Sequence, residues 1–315
     1  MKPAFLEYLL QPRRACVWRH AIPYALYLLL CATLANSTEK SSTGTPAAKA
    51  WSVSWEPAKP HNGDPVVFRV KPPTVFESLS GSWLTHTVFF NFDRRTHAWY
   101  GIAGAPLETK PGTYTLDLTG RTSGGRTLSR ASKVKIGVAK YPAIQVTVAA
   151  KYTEPNPEQQ QIINQDKALK QRIFAGITPD RQWSGKFEPP VTAKVSDVFG
   201  TQRVFNGETQ STHQGLDYSA PEGTPVEAVN AGTVLLARPM YFEGNCVVID
   251  HGQGLLSLYL HLSEFKVKEG DQVVRGQEIG LSGATGRATG PHLHLAMRWQ
   301  GVYVNPAVML SLKFF

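Results

Sequence analysis

Gly283-Ala-Thr-Gly286-Arg-Ala-Thr-Gly290-Pro-His292-Leu-His294-Leu295 is the stretch on which the reading of the C-terminal half turns. In a strand, the period of two puts the His292 and His294 imidazoles on one face and Leu293 and Leu295 on the other. Neutral imidazole is a favoured zinc ligand, and two of them on a rigid element suit a metal site. Gly283, Gly286 and Gly290 permit tight turns, and Pro291 fixes φ just ahead of the pair. A His-x-His pair is also an ordinary feature of surface strands, so its surroundings decide. Five of the nine histidines lie between His213 and His294, with His213-Gln-Gly-Leu-Asp217 well upstream of the pair. Two N/O donors there and one from the pair make three protein ligands, the usual number for catalytic zinc, which keeps its fourth position open.

Outward from this stretch, residues 187–315 read as an all-β domain. Val195 to Phe199, Thr233 to Ala237, Cys246 to Asp250, Leu255 to His261, Gln277 to Leu281 and His292 to Trp299 are apolar-rich and mostly bounded by glycine, and no long helix is visible. Residues 153–186 form a helical linker. Pro155 and Pro157 precede a run of helix formers in which Ile162, Leu169 and Phe174 mark an amphipathic helix over 158–174, ended near Gly176 and Pro179. Residues 51–152 read as short strands at 66–70, 85–92, 113–118, 133–138 and 144–148. The turns Asn62-Gly63-Asp64, Lys110-Pro111-Gly112 and Ser123-Gly124-Gly125 separate them, a spacing that favours an immunoglobulin-like antiparallel sandwich. The expected fold class is mainly β: this sandwich, a short helical linker, and the C-terminal all-β domain. His86 and His97 have no ligand-like company and read as structural.

The chain has 315 residues, 42% hydrophobic and 18% charged, the balance of a globular protein. A net charge of +9 attracts polyanions. No Lys/Arg cluster resembles a nucleic-acid module, so nucleic acid is not expected as a partner. Of the three cysteines, Cys16 and Cys31 fall in residues 1–35, which read as a signal peptide or membrane anchor. Arg13, Arg14, Arg19 and His20 precede the apolar run Ala21 to Leu34, and Ala35 suits cleavage. The run is short for a membrane span of about 20 residues. Residues 36–50, rich in Ser, Thr, Lys and Ala, form a flexible linker. Cys246 alone remains in the mature chain, so neither an internal disulfide nor a cysteine-rich zinc site is available. It lies in an apolar run and reads as a buried thiol, and His251 reads as structural. Gly280 to Gly290 lacks the Gly-Lys-Ser/Thr of a nucleotide loop, and no His-Glu-x-x-His occurs.

Residues from about 195 to 306 resemble the lysostaphin-type (LytM-like, M23) zinc endopeptidases of peptidoglycan. The likeness rests on ordered motifs: Val198-Phe-Gly200, His213-Gln-Gly-Leu-Asp217, Asn230-Ala-Gly-Thr-Val234, Leu258-Tyr-Leu-His261, Gly270-Asp-Gln-Val-Val-Arg-Gly276, Thr289-Gly-Pro-His292-Leu-His294 and Asn305-Pro306. The resemblance implies one Zn2+ held by His213, Asp217 and His294, with His261 and His292 as catalytic histidines flanking a zinc-activated water. It implies peptidoglycan as substrate, cleavage of peptide cross-links with D-alanyl bonds preferred, and an exported protein of the periplasm or cell envelope, with membrane anchoring as the alternative. Some relatives have lost their ligands and activate cell-wall amidases, which is the alternative function. The sequence names no protein partner for the sandwich.

Overall fold

The computed structural model describes residues 50–146, 150–152, 154–205 and 209–313. The signal or anchor reading of residues 1–35 lies outside the described residues, as does nearly all of the 36–50 linker. The described residues group as one compact unit, mainly β.

The N-terminal part begins with β1 (Ser52–Glu56), β2 (Pro65–Lys71), β3 (Ser78–Trp83), β4 (His86–Phe89), β5 (Asn91–Asp93), β6 (Ala98–Gly104), β7 (Gly112–Arg121) and β8 (Thr127–Ile136). They form two four-stranded sheets, ordered β1-β2-β6-β5 and β4-β3-β7-β8, with every pairing antiparallel. Their apolar faces meet where Phe68 of β2 lies edge-on to Trp83 of β3, ring centroids 5.4 Å apart. The buried Trp83 donates Nε1–H to the Gly104 carbonyl at 3.0 Å, so its one polar atom is satisfied. Val66, Val88, Leu116 and Val134 are fully buried beside it, each worth about 1.5–3 kcal/mol relative to exposure.

Two expectations change here. The strand expected over 85–92 is two strands on different sheets: the chain crosses at Phe90, which stays buried with Val88, and the alternation breaks so that Phe92 is 47% exposed. The last expected strand, 144–148, is β9 (Ala143–Val146). It joins neither sheet of the sandwich; it pairs in parallel with β11 (Gln202–Phe205), which is antiparallel to β12 (Thr209–Thr212). Residues 147 and 148 lie outside the described residues.

Between β9 and the C-terminal strands runs α1 (Pro157–Ala175). Asn156 caps it: its side chain accepts the Gln159 N–H, the Gln159 side chain accepts the Asn156 N–H, and Pro157 opens the first turn. Leu169, Ile173 and Phe174 pack on the C-terminal domain, whereas Ile162 is 46% exposed and takes no part in that face.

The main C-terminal sheet contains β10 (Val195–Asp197), β13 (Leu216–Tyr218), β15 (Gly232–Met240), β16 (Gly244–Asp250), β17 (Leu255–Leu262), β19 (Gln272–Val273), β21 (Leu293–Trp299) and β22 (Val302–Val304), all antiparallel, in the order β10-β13-β21-β17-β16-β15-β19 with β22 beside β21. A smaller sheet of β14 (Pro225–Glu227), β18 (Glu264–Phe265) and β20 (Glu278–Leu281) supplies Val226 and Ile279 to the core that the main sheet's inner face fills. Alternation along β21 sends Leu293, Leu295 and Met297 into that core. It sends His294 and Ala296 to the opposite face, where Ala296 joins Val248, Leu256 and Leu258 under α1. The helix is fastened there by the Lys170–Glu243 ion pair, by Asp166 accepting the Tyr241 N–H at 2.7 Å, and by the Arg298 guanidinium 4.2 Å from the Phe174 ring.

A short α2 (Pro306–Ser311) follows the last strand, capped by Asn305, with proline at the first helical position. Among the described residues no helix is long and apolar enough to cross a membrane. The C-terminal strands dock directly on the sandwich. Asn305 N–H donates to the Gly63 carbonyl at 2.7 Å, Gln300 Nε2 donates to the Thr87 carbonyl at 2.7 Å, and a Cβ on Gly104 would come within 2.7 Å of Val304.

Candidate active site

Three neighbouring strands bring the site together. In the β13–β21 pair Asp217 stands directly opposite His294, and in the β17–β21 pair His294 is opposite Leu260, which puts His261 at the adjoining end of β17. His213 precedes β13; its N–H donates to the Thr201 carbonyl at 2.8 Å. Gly215 makes room for the cluster, because a Cβ there would lie 2.3 Å from His294 Nε2.

The donor atoms of His213, Asp217 and His294 converge. His213 Nε2 is 3.0 Å from Asp217 Oδ1 and 3.0 Å from His294 Nδ1, and His294 Nδ1 is 2.7 Å from Asp217 Oδ1. A carbonyl oxygen only accepts, so the 2.9 Å contact between His213 Nδ1 and the Val198 carbonyl assigns the ring proton to Nδ1. Nε2 of the neutral ring is then a lone pair aimed at a carboxylate oxygen. Two acceptors in contact at a buried position need a cation between them. Zinc–N and zinc–O bonds are about 2.0–2.2 Å long, so one ion reaches all three atoms. Two imidazoles and a carboxylate are ordinary zinc donors, and the residues fit that metal.

His261 and His292 stand beside this triangle, ring centroids 4.7 Å apart. His261 Nδ1 faces the Thr285 carbonyl at 2.8 Å and His292 Nδ1 faces the Gly290 carbonyl at 2.8 Å. By the same reasoning both rings carry their proton on Nδ1 and present a bare Nε2; that of His292 is 4.0 Å from Asp217 Oδ1. The glycine-rich stretch therefore acts as a rack of carbonyls that fixes two tautomers. Burial, aided by the neighbouring His294 and His292, lowers the His261 pKa to about 3. Its backbone is left-handed, with φ +66°.

Two cavities adjoin the cluster, of about 170 Å³ on the Leu258, Leu260 and Ala296 side and about 370 Å³ on the Thr289, Gly290 and Pro291 side. Arg203, His261 and Arg287 line both. No residue of α1 lines either, whereas Ser211 and Thr212 of the β11–β12 hairpin line the first.

His251 sits away from the cluster. Its Nδ1–H donates to the Ala231 carbonyl at 2.7 Å, its Nε2 accepts from Ser257 Oγ at 2.8 Å, and burial lowers its pKa to about 4. Cys246 is buried, and desolvation pushes its thiol up. Sequence reasoning missed Arg203, Asp197 and Arg287. An arginine ten positions ahead of a candidate ligand and flanked by Asp197 and Asp217 was the one available signal for Arg203. The hairpin that carries it gives none by periodicity.

Residues 211–306 match the model of Peptidase family M23, and the match spans the strands that carry this cluster. Among curated proteins, the Vibrio cholerae peptidoglycan DD-endopeptidase ShyA is 42% identical over 141 residues, which cover 43% of this chain and 29% of that protein. The Neisseria meningitidis DD-carboxypeptidase/endopeptidase Mpg is 45% identical over 120 residues, which cover 38% of this chain and 27% of that protein. The matched segment thus spans less than a third of either relative. A Pseudomonas aeruginosa crystal structure of a candidate M23 peptidase superposes with a TM-score of 0.61 at 29% identity, covering 80% of this chain and 95% of that one.

Proposed function

We propose that the protein is an exported zinc endopeptidase that hydrolyses the peptide cross-links of peptidoglycan, at D-alanyl bonds. The observation that carries this reading is the convergence of His213, Asp217 and His294 lone pairs beside two imidazoles with bare Nε2 atoms. Support for the substrate comes from the DD-endopeptidase relatives. The basic balance of the chain concentrates it on an acidic wall polymer. Export rests on the pattern of residues 1–35. We read residues 51–136 as immunoglobulin-like, since β1-β2-β6-β5 and β4-β3-β7-β8 correspond to the A-B-E-D and C′-C-F-G neighbour order of that fold.

Zinc held by His213, Asp217 and His294 supplies Lewis-acid polarisation of the scissile carbonyl and makes water acidic enough to lose a proton near neutral pH. The chain supplies the proton acceptors. The Nε2 atoms that His261 and His292 leave free are the acceptors for the proton of the attacking water, and the same atoms return it to the leaving amine. His292 Nε2 lies 4.0 Å from Asp217 Oδ1, beside the donor cluster. The three intact donors argue against the amidase-activator alternative, which arises by their loss.

The test is incubation with cross-linked peptidoglycan, with and without a chelator. New amino groups and fewer cross-linked dimers, abolished by chelation and restored by zinc, are expected. Stoichiometric zinc with no cleavage of cross-linked material refutes the proposed substrate, and absence of both zinc and cleavage refutes the enzyme.

A further inference from the structure

Asp217 uses its two oxygens differently. Oδ1 faces the two imidazoles, while Oδ2 accepts from Arg203 Nη2 at 2.6 Å. The same guanidinium reaches Asp197 Oδ2 through Nη2 and, at 3.0 Å, through Nε. Asp197 Oδ2 in turn lies 3.2 Å from His213 Nδ1. Asp217, Arg203, Asp197 and His213 thus close a ring of contacts around two of the three donor residues. One nitrogen, Nη2, reaches both carboxylates, and the planar guanidinium adds Nε to Asp197, so the fork fixes the direction from which Oδ2 of Asp217 is held.

Arg203 is brought to this position from outside the main sheet. It lies on β11, where it is opposite Ser211 of β12 on one side and Ile144 of β9 on the other. The neighbouring Gln202 N–H donates to the Pro142 carbonyl at 2.8 Å. The strand that backs the arginine therefore comes from the chain between the sandwich and α1, upstream of the peptidase domain.

We propose that Arg203 is the positioning residue of the metal centre: by occupying Oδ2 it makes Asp217 a one-oxygen ligand, and its mooring to β9 makes the upstream segment part of the metal site. This rests on the reading of His213, Asp217 and His294 as ligands. A carboxylate freed of its partner can rotate or offer both oxygens, which changes the coordination number and weakens the site. Groups that orient ligands in this way are typically worth about 10- to 100-fold in metal affinity.

The experiment uses the full chain and its Arg203→Gln, Arg203→Lys, Asp197→Asn and Asp217→Ala variants, titrated with zinc against a competing chelator, and with cobalt(II) as a spectroscopic probe of coordination. Arg203→Gln is expected to weaken zinc about 10- to 100-fold and to shift the cobalt spectrum, both read on the folded fraction of the protein. Arg203→Lys recovers part of the loss because one donor still reaches Oδ2, and Asp197→Asn gives a smaller loss, so the prediction survives even if Arg203→Gln folds poorly. If Asp217→Ala loses zinc while Arg203→Gln and Arg203→Lys bind it as the unmodified protein does, with the same cobalt spectrum, the positioning role is overturned and the metal site stands. An Arg203→Gln effect on KM alone overturns it too. If Asp217→Ala also keeps full zinc affinity, the ligand reading fails and this inference with it.

Discussion

The sandwich and the peptidase domain are built from the same antiparallel strands, yet they bury different things. Among the described residues ten polar or charged residues are buried; nine follow residue 200, and Asp64 alone belongs to the sandwich. Even Asp64 serves a turn, accepting the His61 N–H at 2.9 Å. An unsatisfied buried polar group costs about 1–3 kcal/mol. The sandwich avoids that cost with an apolar interior, as around Phe68 and Trp83. The C-terminal domain buries nine, and three of them, His213, Asp217 and His261, gather at the candidate site. The difference separates a region selected for packing from one selected for chemistry.

The contrast breaks most readily by truncation. His213→Ala, Asp217→Ala or His294→Ala should remove zinc and hydrolysis together, read by metal analysis and cross-link cleavage. Trp83→Ala should instead lower unfolding free energy by about 3–5 kcal/mol, with zinc per folded molecule unchanged; loss of zinc at the same protein concentration in folded material would end the distinction. Next in size, His261→Asn should abolish turnover while zinc stays bound, and full turnover in that variant would remove His261 from the mechanism. Gly215→Ala should weaken zinc without replacing a ligand, because its methyl group would press on His294.

A subtler comparison uses acid. His251 has a folded pKa of about 4 against an ordinary 6.5, so below 6.5 the unfolded chain binds a proton that the folded one refuses. Its contribution to stability is present above about 6.5 and is lost as the pH falls towards 4, at about 1.4 kcal/mol for each pH unit crossed. Denaturant melts of the protein and of His251→Gln should differ in slope over that window; parallel curves would show that His251 is not the buried neutral group. The smallest effect is Ile162→Ser, expected within about 0.5 kcal/mol because the side chain is exposed, whereas Leu169→Ala on the packed face of α1 should exceed it.

Much of this was legible in the sequence where a local pattern coincides with a local structure. The alternation of Leu293-His294-Leu295 is the alternation at the start of β21, and the prolines at 155 and 157 mark the start of α1. The strand over 85–92 was misplaced because nothing in its alternation records that the chain changes sheets at Phe90. The fate of β9 was hidden for a related reason: its partner is β11, across a helix and a loop, and parallel pairing with a distant segment leaves no period in either. The site was readable only as a set of residue types. Which oxygen of Asp217 faces the imidazoles, and that Thr285 and Gly290 hold the tautomers of His261 and His292, are products of the folded backbone.

The left-handed backbone of His261 has a bearing on descent. Most side chains resist φ near +66°, but Asn and Asp tolerate it better than others. A single-base change converts a histidine codon into either. A folded but hydrolytically silent descendant is therefore one mutational step away, and the scaffold would survive that step to be recruited for binding alone.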